Sequence, residues 1–229
     1  MKRESGFTLV EIAIVLVVIG LLIAGVLKGQ ELIHSAKAKN MASELKSIAA
    51  MVYSYQDKYK ALPGDQNQAM LNDAFGAPGG TPVATACSGS GGCTPGNGRM
   101  DGDWNAAANA ETYVLWQHLR LAGLATGNSV QGAANYPARN ADGGLLGIEG
   151  GISATGTAAP FIAGMSGRFF VCSDAVLGRY VRQVDLTLDD GDSASGSVRA
   201  VAAGSARGSA AVATPNLQDG QPYTVCAAF

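Results

Sequence analysis

The chain is poor in charge and in aromatic residues. Of its 229 residues 15% are charged and 7% aromatic, and the formal net charge is −2. A balance this near neutrality gives no support to nucleic-acid binding as a main role, so no nucleic-acid partner is expected. Histidine is nearly absent: His34 and His118 stand 84 positions apart on different predicted helices. There is no G-x-S-x-G motif, no phosphate-binding glycine loop and no histidine pair. The acidic residues fall in loops with no predicted pocket. Enzymatic activity is therefore not expected. Cysteine is limited to Cys87, Cys93, Cys172 and Cys226. The x5 spacing of Cys87 and Cys93 is not that of metal ligands, and no histidine lies near them, so zinc is a poor reading. Proline is missing before Pro63, so none interrupts a helix over the first 62 residues.

What the N-terminal part does contain is a long apolar run. The sixteen residues Ile12 to Leu27 carry no charge, and counted from Phe7 the run is twenty-one residues long. As a helix that is roughly 30 Å, the hydrocarbon thickness of a bilayer. One carboxylate, Glu11, lies inside it. A charge there costs about 2.5–3.5 kcal/mol on insertion scales and calls for a partner. A secretory signal peptide has a shorter apolar core followed by a small-residue cleavage site. Here the run passes through Lys28-Gly29-Gln30-Glu31 into a polar helix, and the small residue that marks a cut, Gly6, precedes it.

Gly6-Phe7-Thr8-Leu9-Val10-Glu11, followed by the apolar helix, resembles the processing site of type IV prepilins and of the related type II secretion pseudopilins. The resemblance implies a leader of residues 1–6, a transmembrane and filament-core segment of residues 7–27, an amphipathic continuation over 28–62 and a globular head over 63–229. It implies a membrane prepilin peptidase that cuts between Gly6 and Phe7 and N-methylates Phe7. It also implies an inner-membrane anchor with the head in the periplasm, other pilin subunits meeting through the N-terminal helix, and an ATP-driven assembly platform. Glu11 would pair with a neighbouring subunit's N-terminal amine, setting register more than stability. The implied fold is α+β: a long N-terminal helix packed on a small antiparallel sheet with long loops. The function expected is that of a structural subunit, a minor or atypical pilin. The alternatives are a type II secretion pseudopilin and a tip adhesin or DNA-uptake pilin. Many major pilins carry a proline about where this chain has Lys28, so Gly20 and Gly25 are the weak points of its helix.

Beyond the apolar run, Met41, Leu45, Ile48, Val52, Tyr55 and Tyr59 form one stripe at helical steps, with Lys37, Lys39, Lys46, Gln56 and Lys60 opposite. Leu62-Pro63-Gly64 ends the helix. A short helix is expected within 65–75, and a glycine-rich loop over 76–102. A third helix is expected over 109–121, capped by Asn109. Strands are expected around 146–148, 167–172, 197–203 and 222–228, with a helix capped by Ser173-Asp174 running to Leu188; a strand over 180–188 is the alternative, since Val184 to Leu188 also alternates. In an exported, oxidised domain the four cysteines form disulfides. Of three connectivities, Cys87–Cys93 with Cys172–Cys226 is favoured. Two acidic clusters are calcium candidates, with solvated turns as the competing reading. In the first, Asp101, Asp103 and Asn105 alternate as at the start of a calcium loop, but Ala106 and Thr112 break the pattern. The second is Asp189, Asp190 and Asp192, placed as a calcium loop is in some pseudopilins.

Overall fold

The computed structural model describes residues 8–81, 83–88, 93–151 and 159–229. They form two compact units, Met1–Lys37 and Ala38–Phe229. Helix α1, Leu9–Tyr59, begins in the first unit and ends in the second, and none of its glycines interrupts it.

In the first unit the side chains of α1 stay exposed from Leu9 to Ile33, and His34, Ser35 and Lys37 are half-buried. Leu9, Leu16, Leu21, Leu22 and Ile23 are all more than half accessible, and the helix is long and apolar enough to cross a bilayer. A helix apolar on every side has no polar face to offer water, so its solvent is lipid or other apolar helices.

In the second unit α1 is one-sided. Ala38, Met41, Ala42, Leu45, Ile48, Ala49, Val52 and Tyr55 are buried, and Lys39, Lys46 and Lys60 are exposed. Tyr59 is half-buried and stacks between Tyr55 and Phe75, with ring centroids 4.5 and 5.2 Å away. The helix stops where Lys60 takes φ 55°, three residues before Pro63. At Gly64, φ is 91° and an added Cβ would lie 2.4 Å from the Glu111 carbonyl oxygen. Only glycine permits that turn and that approach.

Helix α2, Gln68–Phe75, is capped by Asn67, whose side chain accepts from the Met70 N–H at 3.0 Å. Helix α3, Glu111–Leu121, starts one residue later than an Asn109 cap predicts. Asn109 has φ 53°, and Ala110 takes the cap position with no side-chain bond.

The sheet, among the described residues, has four antiparallel strands in the order β1-β2-β4-β3: β1 Leu146–Glu149, β2 Phe170–Leu177, β3 Val198–Ala202 and β4 Pro222–Ala228. Strand β2 runs through Ser173 and Asp174, which the sequence reading assigned to a helix cap. The cause is pairing: Val176 and Leu177 still lie opposite Tyr223 and Pro222, after a bulge in which Ala175 has φ 56°. Helix α4, Gly178–Leu188, follows directly.

Both faces of the sheet are covered. Val171, Val198, Ala200, Val225 and Ala227 join the α1 stripe and α3 in the main core. Phe170, Cys172, Val201 and Cys226 point to a second cluster with Trp104, Phe161, Ile162 and Met165. Successive residues of β2 and β4 thus alternate between two cores, as strand pleating requires.

Candidate functional site

The helix start carries one polar arrangement in an apolar segment. The Glu11 Oε2 accepts from the Thr8 N–H and from the Thr8 hydroxyl, both at 2.8 Å, and the Glu11 N–H donates back to Thr8 Oγ1 at 3.3 Å. This is a reciprocal capping box: Thr8 precedes the first helical residue and Glu11 stands three positions on. It satisfies donors that a helix N-terminus otherwise leaves unpaired. The T-x-x-E spacing that signals it stands in the sequence, before an apolar run, where we read Glu11 only as an inter-subunit partner. Gly6 and Phe7 lie outside the described residues.

The head buries carboxylates that look exposed in sequence. Asp65 lies just after α1 and accepts three successive backbone N–H groups, from Gly96 at 2.7 Å, Asn97 at 3.0 Å and Gly98 at 2.8 Å. Burial pushes its carboxyl up, and the three N–H groups oppose that shift. The glycines of this loop allow the backbone to wrap around the carboxylate. Glu111, fully buried at the start of α3, accepts from Thr94 N–H at 2.9 Å and Asp101 N–H at 2.8 Å. Burial pushes the Glu111 carboxyl up to about 8. The loop between Gly76 and Gly102 is thereby tied to α3 and to the end of α1.

The first predicted cation cluster is spread over different partners. Asp101 is buried and accepts from the Asn97 side-chain amide at 2.6 Å. Asp103 pairs with Arg207 at 2.8 Å, and Asn105 is exposed. Of the second, Asp189 and Asp190 come together at the C-terminal end of α4, joined by the buried Asp185, while Asp192 is exposed and outside that group. Asp185 was missed because it sits within a helical repeat, four positions before the acidic turn. The disulfides are Cys87–Cys93 and Cys172–Cys226, with Cα atoms 6.0 and 4.0 Å apart. Cys172 and Cys226 lie directly opposite each other on β2 and β4.

His118 is fully buried on α3. Its Nδ1 accepts from the Gly64 N–H at 3.0 Å and its Nε2 donates to the Thr85 carbonyl at 3.1 Å, which assigns the neutral Nε2–H tautomer. Burial pulls the imidazole down to about 4. The two shifts act in opposite directions. Glu111 has a folded-state value above its usual 4.5, so its contribution is full below about 4.5 and is lost as pH rises through about 8. His118 has a folded-state value below 6.5, so its contribution is full above about 6.5 and is lost as pH falls through about 4. Thermal stability without divalent cations should therefore rise as pH falls from about 8 to about 6.5, and flatten or fall below that. Melting curves of Glu111→Gln across this range should show a shallower slope. An unchanged slope would remove Glu111 from the account.

These features divide between the two units. The first offers an exposed apolar helix with a capped, acidic start. The second is a disulfide-bonded head whose loops are anchored by buried carboxylates. No curated protein and no solved structure matches the chain. Residues 1–27 match the family model of the prokaryotic N-terminal methylation motif, and the chain therefore carries the type IV pilin and pseudopilin signature.

Proposed function

We propose that the chain is a minor or atypical pilin, a structural subunit of a type IV pilus-like filament. The match over residues 1–27, which takes in an apolar stretch of α1 none of which is buried, supports this reading most. The subunit waits in the inner membrane, its head in the periplasm. A prepilin peptidase cuts between Gly6 and Phe7 and methylates the new amine of Phe7. An ATP-driven platform then extracts the helix into the filament core, where lipid contacts are exchanged for neighbouring helices. In that core Glu11 meets the amine of the next subunit and specifies register, since an apolar surround strongly favours the one arrangement that pairs both charges.

The capping box makes this role separable from helix stability. Glutamine serves in a capping box as glutamate does. Glu11→Gln should thus leave the helix start, membrane insertion and cleavage intact while removing the charge. Breaking a buried ion pair by removing one partner costs about 3–5 kcal/mol. At 1.4 kcal/mol per tenfold, incorporation into filaments should fall by roughly two to three and a half orders of magnitude. The test is co-expression with a prepilin peptidase, with intact mass and N-terminal sequencing of the wild type, Glu11→Gln and Gly6→Arg. A start at N-methyl-Phe7 in the first two, absent in Gly6→Arg, supports the pathway, and sheared-filament assays then report incorporation. An intact Met1 in the wild type overturns the pilin reading. Normal incorporation of Glu11→Gln overturns the role given to Glu11 alone.

A further inference from the structure

The C-terminal end of α4 breaks two rules of helix electrostatics. Asp185 and Asp189 are like charges four residues apart, and both stand at the negative end of the helix dipole. Asp185 is also fully buried, and neither of its carboxylate oxygens has a hydrogen-bond partner. The charged groups that act on it are Asp190, Asp189 and Asp192, all of its own sign. A buried carboxylate left this way costs several kcal/mol unless something neutralises it. Such violations of local rules concentrate at functional sites.

The surrounding turn is built to present oxygens. One carboxylate oxygen each from Asp185, Asp189 and Asp190 lie within 4.8 Å of one another. Asp189 is held by its Oδ2, which accepts from Ser197 N–H at 2.5 Å and Val198 N–H at 3.1 Å. Asp190 accepts from Asp192 N–H at 2.9 Å through Oδ1 and from the Ser195 hydroxyl at 3.2 Å through Oδ2. Asp192 accepts from Ala194 N–H at 3.2 Å. Gly196, at φ 68°, leaves room for Asp189 where any Cβ would overlap its carboxylate.

We propose that Asp185, Asp189 and Asp190, with Asp192 at the rim, form a calcium site that clamps the end of α4 to the start of β3. All four ligands are hard carboxylates, which suits calcium or magnesium rather than a softer metal. Calcium is favoured because it accepts irregular, water-poor shells, whereas magnesium keeps most of its waters in octahedral geometry. Complete burial of Asp185 leaves little space for such a hydrated ion. Extracellular calcium modules bind at about 10⁻⁴–10⁻³ M, the affinity expected here.

The test uses the full chain in detergent, stripped with a chelator and titrated with calcium chloride by calorimetry, with magnesium chloride in parallel. The wild type should bind one calcium per chain and melt several degrees higher in its presence. Asp185→Asn should lose roughly tenfold or more in affinity, yet melt no lower than the wild type in chelator, because it removes the repulsion. Asp190 is exposed, so Asp190→Asn keeps the fold and should weaken binding even where Asp185→Asn does not express. Asp101→Asn, in the other acidic turn, should bind as the wild type does. Absence of calcium binding by the wild type overturns the proposal and leaves Asp185 as a neutral buried acid. Binding unaltered in Asp190→Asn, or lost only in Asp101→Asn, overturns it as well. None of these outcomes depends on the filament reading.

Discussion

Replacing Arg207 by methionine should destabilise the head by about 3–5 kcal/mol, the cost of leaving a buried carboxylate without its partner. For a unit of this size that is a fall in melting temperature of roughly 6–20 °C. Glu149, at the end of β1, is 0% exposed, and its Oε2 accepts from Arg207 Nη2 at 2.5 Å. Its other oxygen accepts from the Phe161 N–H at 2.7 Å. The Arg207 side chain is 14% exposed and also binds Asp103 through Nε at 2.9 Å and the Ala159 carbonyl through Nη1 at 2.5 Å. One guanidinium thus ties together the acidic turn, β1 and the segment after residue 158. Burial pushes Glu149 up and Arg207 is the first of the groups that pull it back, so deleting the cation removes the main stabiliser of the ionised form. Methionine retains much of the stem packing and deletes the donors. The double variant Arg207→Met/Glu149→Gln should recover most of the loss, because the amide oxygen still accepts from Phe161 and no charge stays buried. Urea midpoints at constant m-value measure this. A cost below about 1 kcal/mol for the single variant would mean the pair behaves as a surface salt bridge.

This network also marks where reading the sequence stops. The long helix was legible because it depends on local pattern: an unbroken apolar run, then a stripe from Met41 to Tyr59 that the structure buries on one side. The strands β1, β3 and β4 were legible from their β-branched and apolar content. The end of β2 was not, because Val176, Tyr180, Val181 and Val184 continue a helical spacing backwards into residues that pair with β4. The buried acids were misread as loop carboxylates for a different reason. Asp65 meets Gly98 across 33 positions, and Glu149 meets Arg207 across 58. Nothing in a local window records a partner that far away. The second core cluster was invisible for the same reason, since Trp104, Phe161 and Met165 reach the sheet from irregular segments without a period. The helix cap was the opposite case. Thr8 and Glu11 are three residues apart, so this bond pair is local and legible in the sequence as T-x-x-E before an apolar run.

Removing Cys172–Cys226 should cost about 4 kcal/mol, and removing Cys87–Cys93 about 2 kcal/mol, if the bridges act by restricting the unfolded chain. The two close loops with sequence separations of 54 and 6, and the loop-closure cost grows with the logarithm of loop length. Folded-state contacts alone predict a smaller difference. Strands β2 and β4 are already paired along their length, so the bridge adds few new contacts to the native sheet. Cys172 and Cys226 are also buried in the second core cluster, so their alanine replacements leave a small void that adds to the loss. Cys93 is half-buried, in a loop that Asp65 and Glu111 hold independently through the Gly96, Gly98 and Thr94 N–H groups. The variants Cys172→Ala/Cys226→Ala and Cys87→Ala/Cys93→Ala, compared by urea denaturation of the full chain in detergent, separate these accounts. Equal losses would overturn the loop-closure account. A loss for the β2–β4 bridge larger by about 2 kcal/mol, beyond what the small void adds, would place the effect in the denatured ensemble. The β2–β4 bridge would then act on the head mainly by restricting the unfolded chain, while Thr94, Gly96 and Gly98 would stay held by Glu111 and Asp65 without the other bridge.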